Sequence, residues 1–416
     1  MAKLIVCALA LVACKHETAP VSVLQDGAPV AISDAAAIAP PVDAAAAAAA
    51  APTAVKVVVG AHAACAVMSD RSVRCWGANN RGQLGDGTQK DSATPVAPVI
   101  RGVQDLALGD DHACALLDDA SVACWGNIGF GSKSGPTLVP TGVVGVHDMT
   151  RVFAIGGASC ATAKDGPLVC WGDVDARGHV TQSGAHHTPA PVPGVDHVST
   201  LAKHAALRDD GSFSTWLDDG TPVRANITGA TELAALGDAA CALDGGGDVR
   251  CVGPGASCAA PAAPPPPPPK PMFAPGKHHG HGPRKVGKFA KPPPPPAPAP
   301  AEVPPQPFGS KVLHLAFDAG TCAVNAAKQL VCLDDSCKLT RPWPALVTVV
   351  ETSGTCARLA NGTVRCGSVG GAAPVIAGVT GATQLSANGT RGCAIVTGGG
   401  VSCWDATGAA TELIHP

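Results

Sequence analysis

The 416-residue sequence predicts an all-β repeat fold interrupted by a disordered Pro-rich insertion. Three observations predict it. A pair of cysteines with nine residues between them recurs seven times. The residue expected to close a tight hairpin falls at the same place in most copies. Gly (49) and Pro (39) are abundant while charged residues make up only 15%, a balance that suits many turns joined by short strands.

The N-terminus is read first. Met1-Ala2-Lys3 is a short basic start, and Leu4 to Ala13 is apolar, too short to span a bilayer and right for the apolar part of a signal peptide. The stretch ends in Leu11-Val12-Ala13-Cys14, which resembles the bacterial lipoprotein signal. That resemblance implies removal of residues 1–13 and lipidation of Cys14 as the first mature residue. It also implies an exported protein held in the cell envelope through the N-terminal lipid. Lys15, at the second mature position, points to the outer membrane. Residues 14–54 are Ala- and Pro-rich and read as a tether. The run Ala44–Ala51 falls below the roughly 12–15 residues that a marginal helix needs in water, and Pro52 stops it.

From residue 55 to 416 the chain repeats itself. The cysteine pairs are Cys65 and Cys75, Cys114 and Cys124, Cys160 and Cys170, Cys241 and Cys251, Cys322 and Cys332, Cys356 and Cys366, and Cys393 and Cys403. A further copy carries Ala205 and Thr215 at the two positions, followed by Trp216, which makes eight units. Pairing Cys114 with Cys124 also pairs Leu117 with Ser121 and leaves a three-residue loop, Asp118-Asp119-Ala120. Such a loop wants a residue with φ > 0 at its third position. Gly166, Gly211, Gly247, Gly362 and Gly399 satisfy it, and Arg71, Ala120 and Lys328 are the exceptions. The register sets the cysteines opposite one another, within disulfide reach. Their paired loss at Ala205 and Thr215 favours bridging. Zinc needs four convergent ligands, and this spacing supplies no second pair nearby. After the seven pairs and Cys7 and Cys14, only Cys258 and Cys337 remain, and elimination suggests an eighth bridge between them. Eighteen cysteines also argue for an oxidising compartment.

Each hairpin has an upstream strand, such as Val103–Gly109, Ala230–Gly237 and Ala382–Ala387. The final Ala410–Ile414 reads as one more, expected to return to the first unit and close a ring. After its hairpin the first unit continues Trp76-Gly77-Ala78-Asn79, then Gly82-Gln83-Leu84-Gly85. Here the sequence resembles the regulator-of-chromosome-condensation repeat, a family shared with beta-lactamase inhibitor protein II. The resemblance covers about residues 55–258 and 309–416, with the whole pattern in the first unit alone. It implies a β-propeller of four-stranded antiparallel blades, typically seven. The unit count leads to an expectation of a seven- or eight-bladed β-propeller.

Residues 259–307 interrupt the repeats with polyproline tracts and a His278-His279-Gly280-His281 cluster. Six cations there face Glu302 alone, a net charge of +5 within a chain of −3, so the remainder is acidic at −8. The segment reads as a solvated linker, and its local histidines do not amount to a metal site.

A search for chemistry finds no nucleophile elbow, phosphate loop or paired metal motif, so the expectation is no enzyme, no cofactor and no metal. His62, His112 and His204 sit at different offsets from their hairpins and read as structural. Trp76, Trp125, Trp171, Trp216 and Trp404 follow the second cysteine position and read as packing between blades. The near-neutral charge gives no reason to expect nucleic acid. The function expected is a monomeric binding or scaffold propeller for a protein or glycan, displayed at the envelope. The alternatives are an inhibitor of an extracytoplasmic enzyme, and a propeller hydrolase or lyase with its site in the central channel.

Overall fold

The computed structural model describes residues 51–128, 135–164, 166–174, 186–202, 205–216, 222–223, 227–236, 239–252, 305–316, 321–333, 338–341, 343, 348–367, 372–389 and 391–415. They form eight antiparallel sheets, each built from consecutive strands in chain order. Six sheets have four strands; those of blades 5 and 7 have three among the described residues. The blades span residues 54–96, 103–142, 149–196, 198–223, 230–252, 312–340, 349–366 and 382–414. Each blade's first strand lies innermost, and neighbouring first strands pack side by side around the ring, including blade 8 against blade 1. The chain is an eight-bladed β-propeller.

The spacing of the cysteines has a hydrogen-bonding reason. In the first hairpin Met68 N–H bonds Ser72 O, so that pair is hydrogen-bonded. Ladder positions alternate, so Val67↔Val73 is a non-hydrogen-bonded pair, Ala66↔Arg74 a bonded one and Cys65↔Cys75 non-bonded again. Non-bonded pairs bring the Cα atoms closest. All seven hairpins hold their disulfide there, with Cα–Cα separations of 3.9–4.1 Å. In blade 4 the same register pairs Ala205 with Thr215. Cys14, Cys258 and Cys337 lie outside the described residues.

The third loop residue reveals why φ > 0 is demanded. Gly211, Gly247, Gly362 and Gly399 have φ of 77–86°, and Arg71, Ala120 and Lys328, the sequence exceptions, adopt 57–61° regardless of their side chains. In each of these seven, the left-handed residue turns its carbonyl toward the next blade. There it accepts the N–H of the first inner-strand residue: Val103, Met149, Ala230, Val312, Val349, Ala382 and Ala54, at 2.9–3.1 Å. Position dictates conformation here because the carbonyl has a partner to reach. Gly166 departs from the expectation and does not adopt positive φ.

The last of these bonds, Ala54 N–H to Gly399 O, joins blade 8 to blade 1. Ring closure therefore uses the same bond as six of the other seven junctions, and the expectation for the last strand is corrected. Ala410–Ile414 does not return to the first blade; it pairs with Val401–Trp404 as the outer strand of blade 8. The first blade has no vacancy, since Ala54–Val59 and Ser92–Val96 already occupy its two edges.

Apolar packing fills the junctions. Trp125 lies fully buried against Cys65, Cys75 and Leu84 of blade 1. Trp171 packs on blade 2, Trp216 on blade 3, Trp404 on blade 7 and Trp76 on blade 8. Trp343, which lies outside the repeat pattern, fills the core between blades 6 and 7. Gln306 N–H bonds Val249 O at 2.6 Å and Phe308 is buried beside Cys241, so residues 306–308 pack on blade 5. Residues 259–304 lie outside the described ones.

Candidate binding channel

The inner strands share a local irregularity. In every blade a register shift falls between the first and third residues of the inner strand, or between their partners. A bulge re-aims the side chain beside it. The third residues are Lys56, Asp105, Arg151, Thr200, Glu232, His314, Glu351 and Gln384. Together they form a polar ring around the axis, each flanked by a buried or half-buried apolar fourth residue in most blades. On one side of the ring Lys56, Asp105, Arg151, Phe153, Leu201 and Gln384 line a cavity of about 420 Å³.

Several of these side chains bridge to the next blade. Inner strands present backbone groups that no ladder satisfies, and such groups need partners when half-buried. Gln384 Oε1 accepts Val57 N–H at 3.1 Å, Glu351 Oε1 accepts Leu385 N–H at 3.2 Å and Glu232 Oε2 accepts Leu315 N–H at 2.8 Å. Lys56 Nζ donates to Leu106 O at 3.1 Å and pairs with Asp105. The second carboxylate oxygens are also engaged: Glu351 Oε2 accepts from Arg358 Nε and Glu232 Oε1 meets His314 Nδ1. Hydroxyls repeat the device two residues on, where Ser386 accepts Val59 N–H and Ser353 accepts Ala387 N–H. The channel's carboxylates thus tie blades together. The ring is visible in the sequence only when all eight upstream strands are aligned, which exposes the polar third position.

His62 and His112 make structural contacts between blades. His62 Nδ1 lies 3.1 Å from Asp110 O and from Asp111 Oδ1, spanning blades 1 and 2. His112 is buried, with Nε2 2.8 Å from Ser159 Oγ in blade 3. Burial pushes its pKa down to about 4, against the opposing pull of the Asp111 charge and the Ala158 backbone. His204 lies outside the described residues. Among the described residues no group of three His, Cys, Asp or Glu is arranged to hold a metal ion.

The first unit's loop shows what its extra residues do. Asn79 is fully buried; its Oδ1 accepts Leu84 N–H and its Nδ2 donates to Asp86 and Thr88 O. Burial raises the Asp86 carboxyl, but the bonds from Thr88 and Asn79 outweigh it and hold it below the usual range. The folded loop lays Gln83 O against Trp125 Nε1 at 2.9 Å. A Cβ at Gly85 would lie 2.7 Å from the Trp125 ring, so only glycine fits there. The motif is a lock between blades 1 and 2.

Residues 54–83 and 103–131 match the regulator of chromosome condensation (RCC1) repeat, and residues 72–116 match a second description of the same repeat. No curated protein matches the chain. Among solved structures, human WBSCR16 is 20% identical with a TM-score of 0.41, over 48% of this chain and 61% of its own. Prp20p from Saccharomyces cerevisiae, described with its binding properties to Gsp1p and histones, is 14% identical with a TM-score of 0.49, over 82% of this chain and 85% of its own. The ectodomain of the Arabidopsis thaliana receptor kinase ACR4 is 16% identical with a TM-score of 0.40, over 88% of this chain and all of its own. The matched residues lie in blades 1 and 2, where the Asn79 loop and Trp125 meet, and there the chain carries RCC1 repeats.

Proposed function

We propose that this chain is a non-catalytic binding scaffold, lipid-anchored through Cys14 at the exported bacterial envelope, that presents its ring to a protein or glycan. One observation carries the reading. The carboxylates of the channel, the natural place for a catalytic site, are committed to neighbouring backbone and to the side chains of Lys56, Arg358 and His314. Catalysis asks for a convergent acid, base or nucleophile free to act on a substrate. A ring with exposed loops serves recognition instead. The seven disulfides suit an exported protein.

Two measurements test the proposal. Cys14→Ser is expected to abolish palmitate labelling and move the protein from the membrane to the soluble fraction; unchanged membrane association contradicts the anchor. A photo-cross-linker at Ala61, in the loop after the inner strand of blade 1, is expected to capture a discrete envelope partner in whole cells. Hydrolysis or elimination of envelope glycans or peptides by the purified ring, lost in Glu232→Gln, replaces the scaffold with an enzyme.

A further inference from the structure

Seven of the eight junctions are clasped by the bond from a left-handed loop residue to the next inner strand, and the eighth is not. Between blades 3 and 4, Gly166 lacks positive φ, and among the described residues Val198 N–H does not bond its carbonyl. The sequence supplies the cause. The residue after the loop is Ser72, Ser121, Ser212, Asp248, Gln329, Thr363 or Gly400 in the other blades and Pro167 in this one. A proline ring crowds the preceding residue out of helical conformations. That crowding depends on the size of ψ rather than its sign, so it disfavours the left-handed region as well. Proline also has no N–H to offer the loop. Ser72, Ser121, Ser212 and Thr363 donate theirs to Asp70, Asp119, Asp210 and Asn361, which fixes those turns.

Two independent features meet at the same junction. Blade 4 is the unit whose hairpin has Ala205 opposite Thr215 in place of a disulfide. Nor is there, among the described residues, the channel bridge by which Lys56, Glu232, Glu351 and Gln384 reach the next blade's fourth residue, a lack shared with junctions 2–3, 4–5 and 6–7; Arg151 instead approaches Asp209 at 3.5 Å. Among the described residues, the shared apolar core around Trp216, the Arg151–Asp209 pair and a bond from Thr162 Oγ1 to Val198 O at 3.2 Å join the two blades.

We propose that the junction between blades 3 and 4 is the seam of the ring, the place where it opens first under native conditions, with Pro167 as its determinant. Seven clasped junctions then behave as one stiff arc, and changes in ring circumference concentrate at the eighth.

Residue-resolved hydrogen–deuterium exchange on the full disulfide-bonded chain tests this. Val198 and its strand are expected to exchange about tenfold faster than the equivalent inner strands of blades 3 and 5, the worth of about one net backbone hydrogen bond. Pro167→Ser is expected to bring Val198 into line with its seven counterparts. The double variant Ala205→Cys/Thr215→Cys is expected to slow the blade 4 hairpin while leaving Val198 fast. Equal protection of the three inner strands in the natural sequence overturns the proposal. So does a Pro167→Ser variant whose Val198 stays fast, or a new disulfide that protects Val198 by itself, which assigns the opening to hairpin fraying.

Discussion

The junction between blades 1 and 2 and the junction between blades 3 and 4 join the same kind of sheet by different means. At the first, an apolar core around Trp125 is overlaid by the Arg71–Val103 clasp, the Lys56 bridge and the folded Asn79 loop. At the second, a comparable core around Trp216 is joined, among the described residues, by the Thr162–Val198 bond but by no clasp from Gly166. The Arg151–Asp209 pair there is about half exposed and contributes little in water. The contrast separates two roles. Apolar burial is non-directional and holds any two sheets together, whereas hydrogen bonds to the backbone fix one register and oppose sliding. A propeller is therefore stiff junction by junction, and its sequence distributes that stiffness unevenly.

The largest effect tests whether the two cores are equal. Trp125→Ala and Trp216→Ala are each expected to lower unfolding free energy by about 3–5 kcal/mol in denaturant titration. A much smaller loss at Trp216 would mean that the seam is also poorly packed, not merely unclasped.

The next effect falls on the junction between blades 2 and 3 and is read by pH. His112 is neutral in the folded chain, with its pKa lowered from 6.5 to about 4. The unfolded chain binds this proton first, so stability is complete above pH 6.5 and falls as the pH drops toward 4. The loss amounts to about 3 kcal/mol by linkage. His112→Gln removes that component of the acid sensitivity; an unchanged profile would place the sensitivity elsewhere.

A disulfide added to blade 4 by Ala205→Cys/Thr215→Cys is expected to raise stability by about 2–3 kcal/mol, the constraint of a loop of this size. A free thiol pair after oxidation would contradict the facing register. The smallest effect is Pro167→Ser, expected to add about 1 kcal/mol as the missing clasp forms. Lower stability would show that Pro167 stabilises its own turn more than it weakens the seam.

Much of this architecture is legible in the sequence because it is periodic. A nine-residue gap between facing cysteines admits one hairpin register, and eight copies count the blades. Arg71, Ala120 and Lys328 show where residue type stops being informative: the left-handed conformation there is imposed by a carbonyl reaching into the next blade. Gly166 is the converse, a permissive residue held out of that conformation by its neighbour, so Pro167 was the signal. Ala410–Ile414 was misplaced because a short strand fits either free edge, and only the completed first blade shows that one edge is taken. The polar ring of the channel is hard to see in the sequence because its eight third residues are of seven types, with Glu alone used twice, and share only polarity and a bulge.

The measurement closest to the central claim, an oxidised ring of self-contained hairpins at the envelope, is non-reducing peptide mapping by mass spectrometry of protein taken from that compartment. The account predicts seven bridges, each within its own hairpin from Cys65–Cys75 to Cys393–Cys403, with Cys258 and Cys337 answering separately for their own link. Cys65 bonded outside its hairpin, or most hairpin thiols free in envelope protein, would contradict both the register and the oxidising location.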